Sequence, residues 1–147
     1  MGKRREDELF QLFFDNYNEA MQKMPAVQIL VAGKTGVGKS TLVNAIFREP
    51  VAPVGAGLPV TSALHRYEHD ELPLVLFDTR GFELDATKQT EIKKEIHALI
   101  AEKRHARDPD DRIHLLWYCV NSLTNRLEPF EIEFLREMSI DLPIVMV

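Results

Sequence analysis

The sequence predicts an α/β fold of three layers, with helices on both faces of a mostly parallel sheet that carries one antiparallel edge strand. Four short runs are rich in Val, Ile and Leu and do not alternate with polar residues, which is typical of strands buried on both faces. These runs are residues 27–32, 74–77, 113–120 and 143–147. Segments of helical periodicity lie between the runs, and this alternation indicates parallel strands joined through helices.

An extra amphipathic helix is predicted before the first strand, over residues 5–24, and Pro25 ends it. Apolar residues recur along one face of this helix at spacings of three or four. They are Leu9, Phe13, Tyr17, Met21 and Met24, with Phe10 and Phe14 beside them. Because the polar face mixes both charges, we expect the helix to dock on its own domain rather than on a partner or a membrane surface. We therefore divide the chain into this helix, residues 1–24, and a domain over residues 25–147.

The first half of the domain contains the antiparallel edge. A glycine-rich loop and a helix over residues 39–48 follow the first strand. Residues 49–62 contain three prolines and two glycines, and we expect them to be irregular. Residues 63–68 are expected to form a short strand that turns at residues 70–71 and pairs with the run at residues 74–77.

The second half of the domain contains two more predicted helices. One spans residues 86–103, and the other begins near Glu128 and Pro129, since proline suits the first turn of a helix. The inward residues expected on them are Ile92, Ile96, Leu99 and Ile100 on the first, and Phe130, Phe134, Leu135 and Met138 on the second. The last run, residues 143–147, is expected to be a core strand. Because no covering helix follows it, we expect the domain to be C-terminally incomplete.

The segment from Gly33 to Ser40 reads G-K-T-G-V-G-K-S and matches G-x-x-x-x-G-K-[ST] at every fixed position. Glycines let successive backbone N–H groups point into one concavity that binds phosphate oxygens, and the N-terminus of the next helix adds positive potential. Lys39 is expected to reach the β- and γ-phosphates, and Ser40 to bind Mg²⁺ through its hydroxyl. The candidate phosphate-binding residues are Gly33, Lys34, Thr35, Gly36, Val37, Gly38, Lys39, Ser40 and Thr41.

A second motif begins with Asp78, which directly follows the apolar run at residues 74–77 and forms D-x-x-G with Gly81. An aspartate at this place in a phosphate-loop protein helps to hold Mg²⁺. Thr61 lies between the two motifs and is a candidate Mg²⁺ ligand when the γ-phosphate is present, and the Gly81 N–H is a candidate contact of that phosphate. The predicted catalytic groups are Lys39, Thr61 and Gly81, and the predicted metal ligands are Ser40, Thr61 and Asp78.

Together, G-K-T-G-V-G-K-S, P-V-T at residues 59–61 and D-T-R-G at residues 78–81 resemble the first three motifs of the Ras-like P-loop GTPases of the translation-factor class. The run at residues 116–121 is similar to the fourth strand of the Era-like branch of these proteins. The resemblance covers residues 27–147. It implies a P-loop NTPase fold, GTP and GDP as ligands, Mg²⁺ as a cofactor, and a molecular switch that hydrolyses GTP.

The sequence departs from this family pattern at three points. The guanine-reading motif [NT]-K-x-D would follow residues 143–147 and is not among the 147 residues, so guanine and adenine both stay open. Phe82 stands where many members have a water-orienting Gln, which predicts slow intrinsic hydrolysis. Gly36 stands where potassium-stimulated members have Asn, which argues against potassium activation. The alternatives are a nucleotide-gated binding module with little turnover and an ATP-using P-loop NTPase.

Composition limits the partners. The net charge of −5 and the pI of about 5.5 give no strong nucleic-acid signal. No apolar stretch approaches the roughly 18 residues that a transmembrane helix needs. Cys119, the single cysteine, lies in an apolar run and is expected to be buried, which fits the reducing cytoplasm. Besides a guanine nucleotide, the expected partner is another protein or a second copy of the chain, bound through the switch loops or the N-terminal helix.

Overall fold

The computed structural model describes residues 2–47, 58–59, 61, 63–70, 72–82, 85–124 and 126–147. Its helices are α1 (Gly2–Lys23), α2 (Lys39–Phe47), α3 (Ala86–Arg104) and α4 (Pro129–Met138), with a 3-10 turn at Pro109–Asp111. Its strands are β1 (Val27–Gly33), β2 (Leu58–Pro59), β3 (Leu64–His69), β4 (Leu72–Thr79), β5 (Leu115–Cys119) and β6 (Ile144–Met146).

The strands form one sheet in the order β2-β3-β4-β1-β5-β6. β1 pairs in parallel with β4 and β5, and β6 adds in parallel to β5, while β3 is antiparallel to β4. The predicted α/β fold with its mostly parallel sheet and antiparallel edge is therefore confirmed. The edge also contains β2, two residues antiparallel to β3, in a segment predicted to be irregular. Apart from Thr61, the rest of that segment, residues 49–57, 60 and 62, lies outside the described residues, as do Arg48 of the predicted helix and Glu71 of the predicted turn.

Helices cover both faces of the sheet, as a three-layer fold requires. On one face, buried residues of α3 and α4 pack on the strands; among them are Ile92, Ile96, Phe134 and Met138. On the other face, Val43 and Phe47 of α2 pack against the opposite side chains of β1 and β4. Cys119 belongs to this second cluster and is buried as predicted.

The two helices on the first face follow the predicted apolar pattern. Ile92, Ile96, Leu99 and Ile100 of α3 are all buried. The side chain of Asp85 accepts hydrogen bonds from the N–H groups of Thr87 and Lys88 and so caps the start of α3. An ion pair of 2.8 Å between Lys93 and Glu137 links α3 to α4.

The predicted docking of α1 on its own domain is wrong. Leu9, Phe10 and Phe13 are 71%, 65% and 64% exposed, so the apolar face of α1 is not covered by any of the described residues. The physical reason is that α2, α3 and α4 already occupy the two faces of the sheet. Only the end of α1 approaches the domain, where Met21 borders a cavity shared with Leu72 at the start of β4.

β6 differs from the predicted core strand. It pairs with β5, but Val145, Met146 and Val147 are 47%, 48% and 46% exposed. The reason is that β6 is the outermost strand of the described sheet on that side. Among the described residues, no helix has the length and apolar character that crossing a membrane requires.

Candidate functional site

The phosphate loop connects β1 to α2 at the carboxyl end of the parallel strands. Gly36 and Gly38 have φ angles of 82° and 103°, a region that residues with a Cβ rarely adopt. No neighbouring atom lies within 4 Å of a Cβ built on either residue, so the backbone turn itself requires glycine here. Of the predicted phosphate-binding residues, Thr35, Gly36, Gly38, Ser40 and Thr41 are exposed, and Lys34 and Val37 are partly buried.

Lys39, the first residue of α2, turns its amine into the loop. Its Nζ donates hydrogen bonds to the carbonyl oxygens of Gly33 and Lys34, both at 3.3 Å. The residue is only 7% exposed, and this burial lowers the pKa of the amine, an effect that the nearby Asp78 carboxylate opposes. The Lys39 amine therefore lies inside the loop, where two backbone carbonyls surround it.

Asp78 lies near the end of β4, next to β1, and is opposite Val31 and His65 in the sheet register. Burial raises the pKa of its carboxyl group from 3.8 to about 6, and the charges of Lys39 and His65 act against that rise. Its Oδ1 is buried and has no hydrogen-bond partner among the described residues. A carboxylate oxygen that the protein leaves unpaired is a hard donor of the kind that Mg²⁺ prefers, so Asp78 fits a magnesium ligand.

The D-x-x-G segment is joined to the phosphate loop by backbone contacts. The Phe82 N–H donates to the Gly33 carbonyl, and the Thr35 N–H donates to the Phe82 carbonyl, both at 3.0 Å. Gly81 lies so close to the loop that an added Cβ would be 2.6 Å from the Cα of Thr35. The structure thus brings Gly81 against the phosphate loop, and only a glycine fits there.

Phe82 itself is a core residue. Its ring is 2% exposed and packs on the rings of Phe134 and Phe130 of α4, with centroid distances of 5.0 and 5.8 Å. Because this side chain is directed into the core, position 82 brings no polar group to the site.

Thr61 is placed differently from the other candidate ligands. Its hydroxyl donates a hydrogen bond to Glu95 of α3 and accepts from the N–H groups of Ala63 and Leu64 at 3.2 and 3.1 Å. The Arg80 N–H donates to the Ala63 carbonyl, which anchors this segment to the end of β4. In this conformation the hydroxyl proposed for Mg²⁺ is bonded to a glutamate that the sequence analysis did not single out.

A second set of residues was also missed. The Lys34 amine lies 3.2 Å from Glu128 and 3.7 Å from Glu131, at the start of α4. Glu131 also accepts from the Tyr118 hydroxyl and from the Glu128 N–H, both at 2.7 Å. The spacing Glu128-Pro129-x-Glu131 could have identified a helix cap, but nothing in the local sequence connects it with Lys34.

The described residues contain no group of three or more His, Cys, Asp or Glu side chains placed to hold a metal ion. Among the described residues, Asp78 is therefore not part of a cluster of possible metal-binding side chains. A metal at this position would take its remaining ligands from hydroxyl groups, water and the phosphates of a nucleotide, as Mg²⁺ commonly does.

The comparisons with known proteins point to one family. The family model described as a 50S ribosome-binding GTPase matches residues 28–147. The chain is 32% identical to Septin-12 of Homo sapiens over 82% of this chain and 40% of that protein. It is 28% identical to Septin-9 of Rattus norvegicus over 82% of this chain and 26% of that protein. The chain thus spans less than half the length of these curated relatives.

A crystal structure of a probable GTP-binding protein engB has a similar fold. It matches with a TM-score of 0.56 and 22% identity, over 82% of this chain and 68% of that one. At this identity the likeness concerns the fold alone, and it supports the α/β architecture described above.

Proposed function

This chain belongs to the 50S ribosome-binding GTPase family, and we propose that it binds GTP and GDP and hydrolyses GTP to GDP and phosphate as a molecular switch. The observation that carries the proposal is the phosphate loop with Lys39 inside it and, beside it, the Asp78 carboxylate, whose Oδ1 has no hydrogen-bond partner among the described residues. The family makes guanine the expected base, although the residues present contain no base-reading motif. The Era-like branch and the cytoplasmic location stay predictions from the sequence.

Backbone N–H groups among residues 33–41, other than that of Thr35, which donates to the Phe82 carbonyl, would bind the phosphates, and the Lys39 amine would neutralise charge on the β- and γ-phosphates. Asp78 and the Ser40 hydroxyl would hold Mg²⁺, joined by Thr61 in the triphosphate state. When bound, Mg²⁺ supplies positive charge that stabilises the phosphates during transfer. The Gly81 N–H, already next to the loop, would contact the γ-phosphate.

Two side chains must change partners when Mg²⁺ and a nucleotide bind, so the conformation of both depends on the nucleotide. Lys39 must exchange the carbonyls of Gly33 and Lys34 for phosphate oxygens. Thr61 must exchange Glu95 for the metal. Loss of the γ-phosphate would allow Thr61 to return to Glu95, which is the behaviour of a switch segment.

Hydrolysis is expected to be slow without a partner. The Phe82 ring is buried against α4, so this position offers no side chain that could orient or deprotonate water. Positioning and charge neutralisation remain as the contributions of this chain. The same observation favours the second candidate, a nucleotide-gated binding module with little turnover, whose partner would be another protein or a second copy.

Calorimetric titration of the intact domain, in a full-length version of the protein, with GTP, GDP and ATP, each with Mg²⁺, tests the proposal. We expect GTP and GDP to bind with micromolar or better affinity and ATP to bind more weakly. Lys39→Ala should abolish triphosphate binding, because it removes the cation inside the cradle. Lys93→Ala is the matched control, since Lys93 pairs with Glu137 between α3 and α4. A wild-type chain that binds no GTP, or binds ATP equally well, would overturn the corresponding part of the proposal.

Single-turnover hydrolysis separates the switch from the binding module. A rate above that of free GTP that depends on Lys39 supports the switch. A rate equal to that of free GTP, with binding intact, supports the module.

A further inference from the structure

The start of α4 contacts both polypeptide segments that border the candidate phosphate site. Lys34, the second residue of the phosphate loop, extends its amine to the carboxylates of Glu128 and Glu131. Phe82, which follows the D-x-x-G motif, packs its ring against Phe130 and Phe134 of the same helix. The backbones of Lys34 and Phe82 are themselves bridged. Loop, motif and helix therefore meet in one contact region.

Glu131 is the buried member of this region. It is 2% exposed, whereas the side chain of Glu128 is 44% exposed. A buried carboxylate is costly unless hydrogen bonds and a counter-charge surround it. The Tyr118 hydroxyl binds one of its oxygens, and the Glu128 N–H binds the other. The Lys34 amine is the cation within ion-pair distance of that second oxygen.

Lys34 is consequently constrained at both its side chain and its backbone. Its amine faces Glu131, its carbonyl accepts from Lys39, and its backbone bridges to Phe82. A loop residue fixed in this way limits the orientations open to the amides that follow it. Binding to an ordered loop costs less conformational entropy than binding to a loop that must first be ordered.

We propose that Glu131 is a positioning residue for the phosphate loop, acting through Lys34 to hold the loop amides in their binding orientation before a nucleotide arrives. The expected effect on nucleotide affinity rests on the proposed function. The structural part of the inference, the ordering of the loop by α4, is independent of which nucleotide binds.

Substitutions of Lys34 and Glu131 distinguish a positioning role of Glu131 from a purely electrostatic effect of its charge. If charge alone mattered, Glu131→Gln would remove a negative group near the phosphates and tighten binding. A positioning role predicts the reverse, with GDP affinity about tenfold lower in Glu131→Gln and in Lys34→Met. The double variant should bind GDP no more weakly than either single variant, because both substitutions remove the same contact. Lys34→Arg, which keeps the cation, should retain most of the affinity.

Glu137→Gln provides a matched control on the same helix. It removes a carboxylate that is also paired with a lysine, but that lysine lies on α3 and away from the loop. We expect its GDP affinity to stay within about twofold of wild type. Thermal melting of every variant shows whether the protein remains folded.

Hydrogen exchange of the nucleotide-free protein gives a readout that does not depend on the proposed function. The amides of Thr35 and Val37, which donate to the Phe82 and Lys34 carbonyls, should exchange faster in Lys34→Met and in Glu131→Gln, and at the wild-type rate in Glu137→Gln. Unchanged exchange in the folded variants overturns the inference, as does tighter GDP binding by Glu131→Gln. Faster exchange in a protein whose wild type binds no nucleotide would support the positioning and overturn the proposed function.

Discussion

Asp78, the proposed magnesium ligand, differs from a purely structural side chain in its surroundings. Its carboxyl group is largely removed from water, and one of its oxygens has no partner among the described residues. The charges of Lys39 and His65 offset only part of that cost, because the pKa is still raised to about 6. A group held at such a cost in the free protein is a reasonable place for a cation to bind.

The raised pKa of Asp78 gives a prediction for the stability of the metal-free protein. Between pH 3.8 and about 6 the folded state keeps the Asp78 proton that the unfolded chain releases. Because the folded state then binds more protons, the contribution of Asp78 to stability is fully present below pH 3.8 and is lost as the pH rises through this window. Relative to Asp78→Asn, the free energy of unfolding should fall by about 2 kcal/mol between pH 4 and 6.

Denaturant unfolding of both proteins at several pH values measures this difference, because titrations that they share cancel. A difference that stays constant from pH 4 to 6 would show that the Asp78 carboxyl group titrates normally in the folded protein.

Phe82 gives a second prediction about a single side chain. Replacing it with the Gln that many family members carry places an amide in the core, so Phe82→Gln should lower the free energy of unfolding by about 3 kcal/mol. It should not accelerate GTP hydrolysis, because the side chain is directed at α4. Phe82→Leu is the control and should cost less than about 1.5 kcal/mol. Thermal melts and single-turnover hydrolysis measure both effects, and a stable, faster Phe82→Gln protein would contradict the placement of this residue.

At the level of helices and strands, the candidate segments contact α3 and α4 in addition to one another. α3 contacts the Thr61 segment through Glu95, and α4 contacts the phosphate loop through Glu131. The two helices are joined in turn by the ion pair of Lys93 with Glu137. A change at the site can therefore reach the helical face of the sheet through side chains that are in direct contact.

The contact of Thr61 with Glu95 should affect GTP and GDP differently. If Thr61 leaves Glu95 only when the γ-phosphate is present, removal of the acceptor destabilises the GDP-bound and free states more than the GTP-bound state. Glu95→Ala should therefore raise the ratio of GTP to GDP affinity about fivefold. Glu91→Ala removes the same charge one turn earlier on α3 and serves as the control.

Calorimetry with a non-hydrolysable GTP analogue and with GDP, both in the presence of Mg²⁺, measures this ratio. Equal changes in the two affinities would mean that Thr61 stays on Glu95 in both nucleotide states.

Considered as one molecule, the described residues form a three-layer domain that carries a helix whose apolar face is exposed. The domain buries its core without help from α1, because α2 covers one face of the sheet and α3 and α4 cover the other. In the isolated chain, the exposed Leu9, Phe10 and Phe13 therefore lower the solubility and do not stabilise the fold.

Removal of residues 2–24 tests this division of the chain. We expect the free energy of unfolding to change by less than about 1 kcal/mol and GDP affinity to be unchanged, because the apolar face of α1 buries little area. Denaturant unfolding and calorimetry on the shortened chain measure both quantities. A loss of several kcal/mol would show that α1 is part of the folding unit.

The sequence by itself determined the α/β class, the approximate positions of every described strand except β2, the glycine-rich loop and the place of Asp78. Each of these depends on neighbouring residues: an apolar run long enough for a strand, glycines where the backbone must turn, an aspartate directly after a strand. Local sequence also identified Phe82 as unable to orient water, although its role in the core was not evident.

Only the tertiary structure decided which side chains meet at the site. Thr61 and Glu95 are 34 residues apart, and Lys34 and Glu128 are 94 residues apart, so no local pattern could connect them. The exposure of α1 likewise depended on which faces of the sheet other helices had already covered. Periodicity indicates that a helix has an apolar face, but the space left in the folded domain determines whether that face is buried.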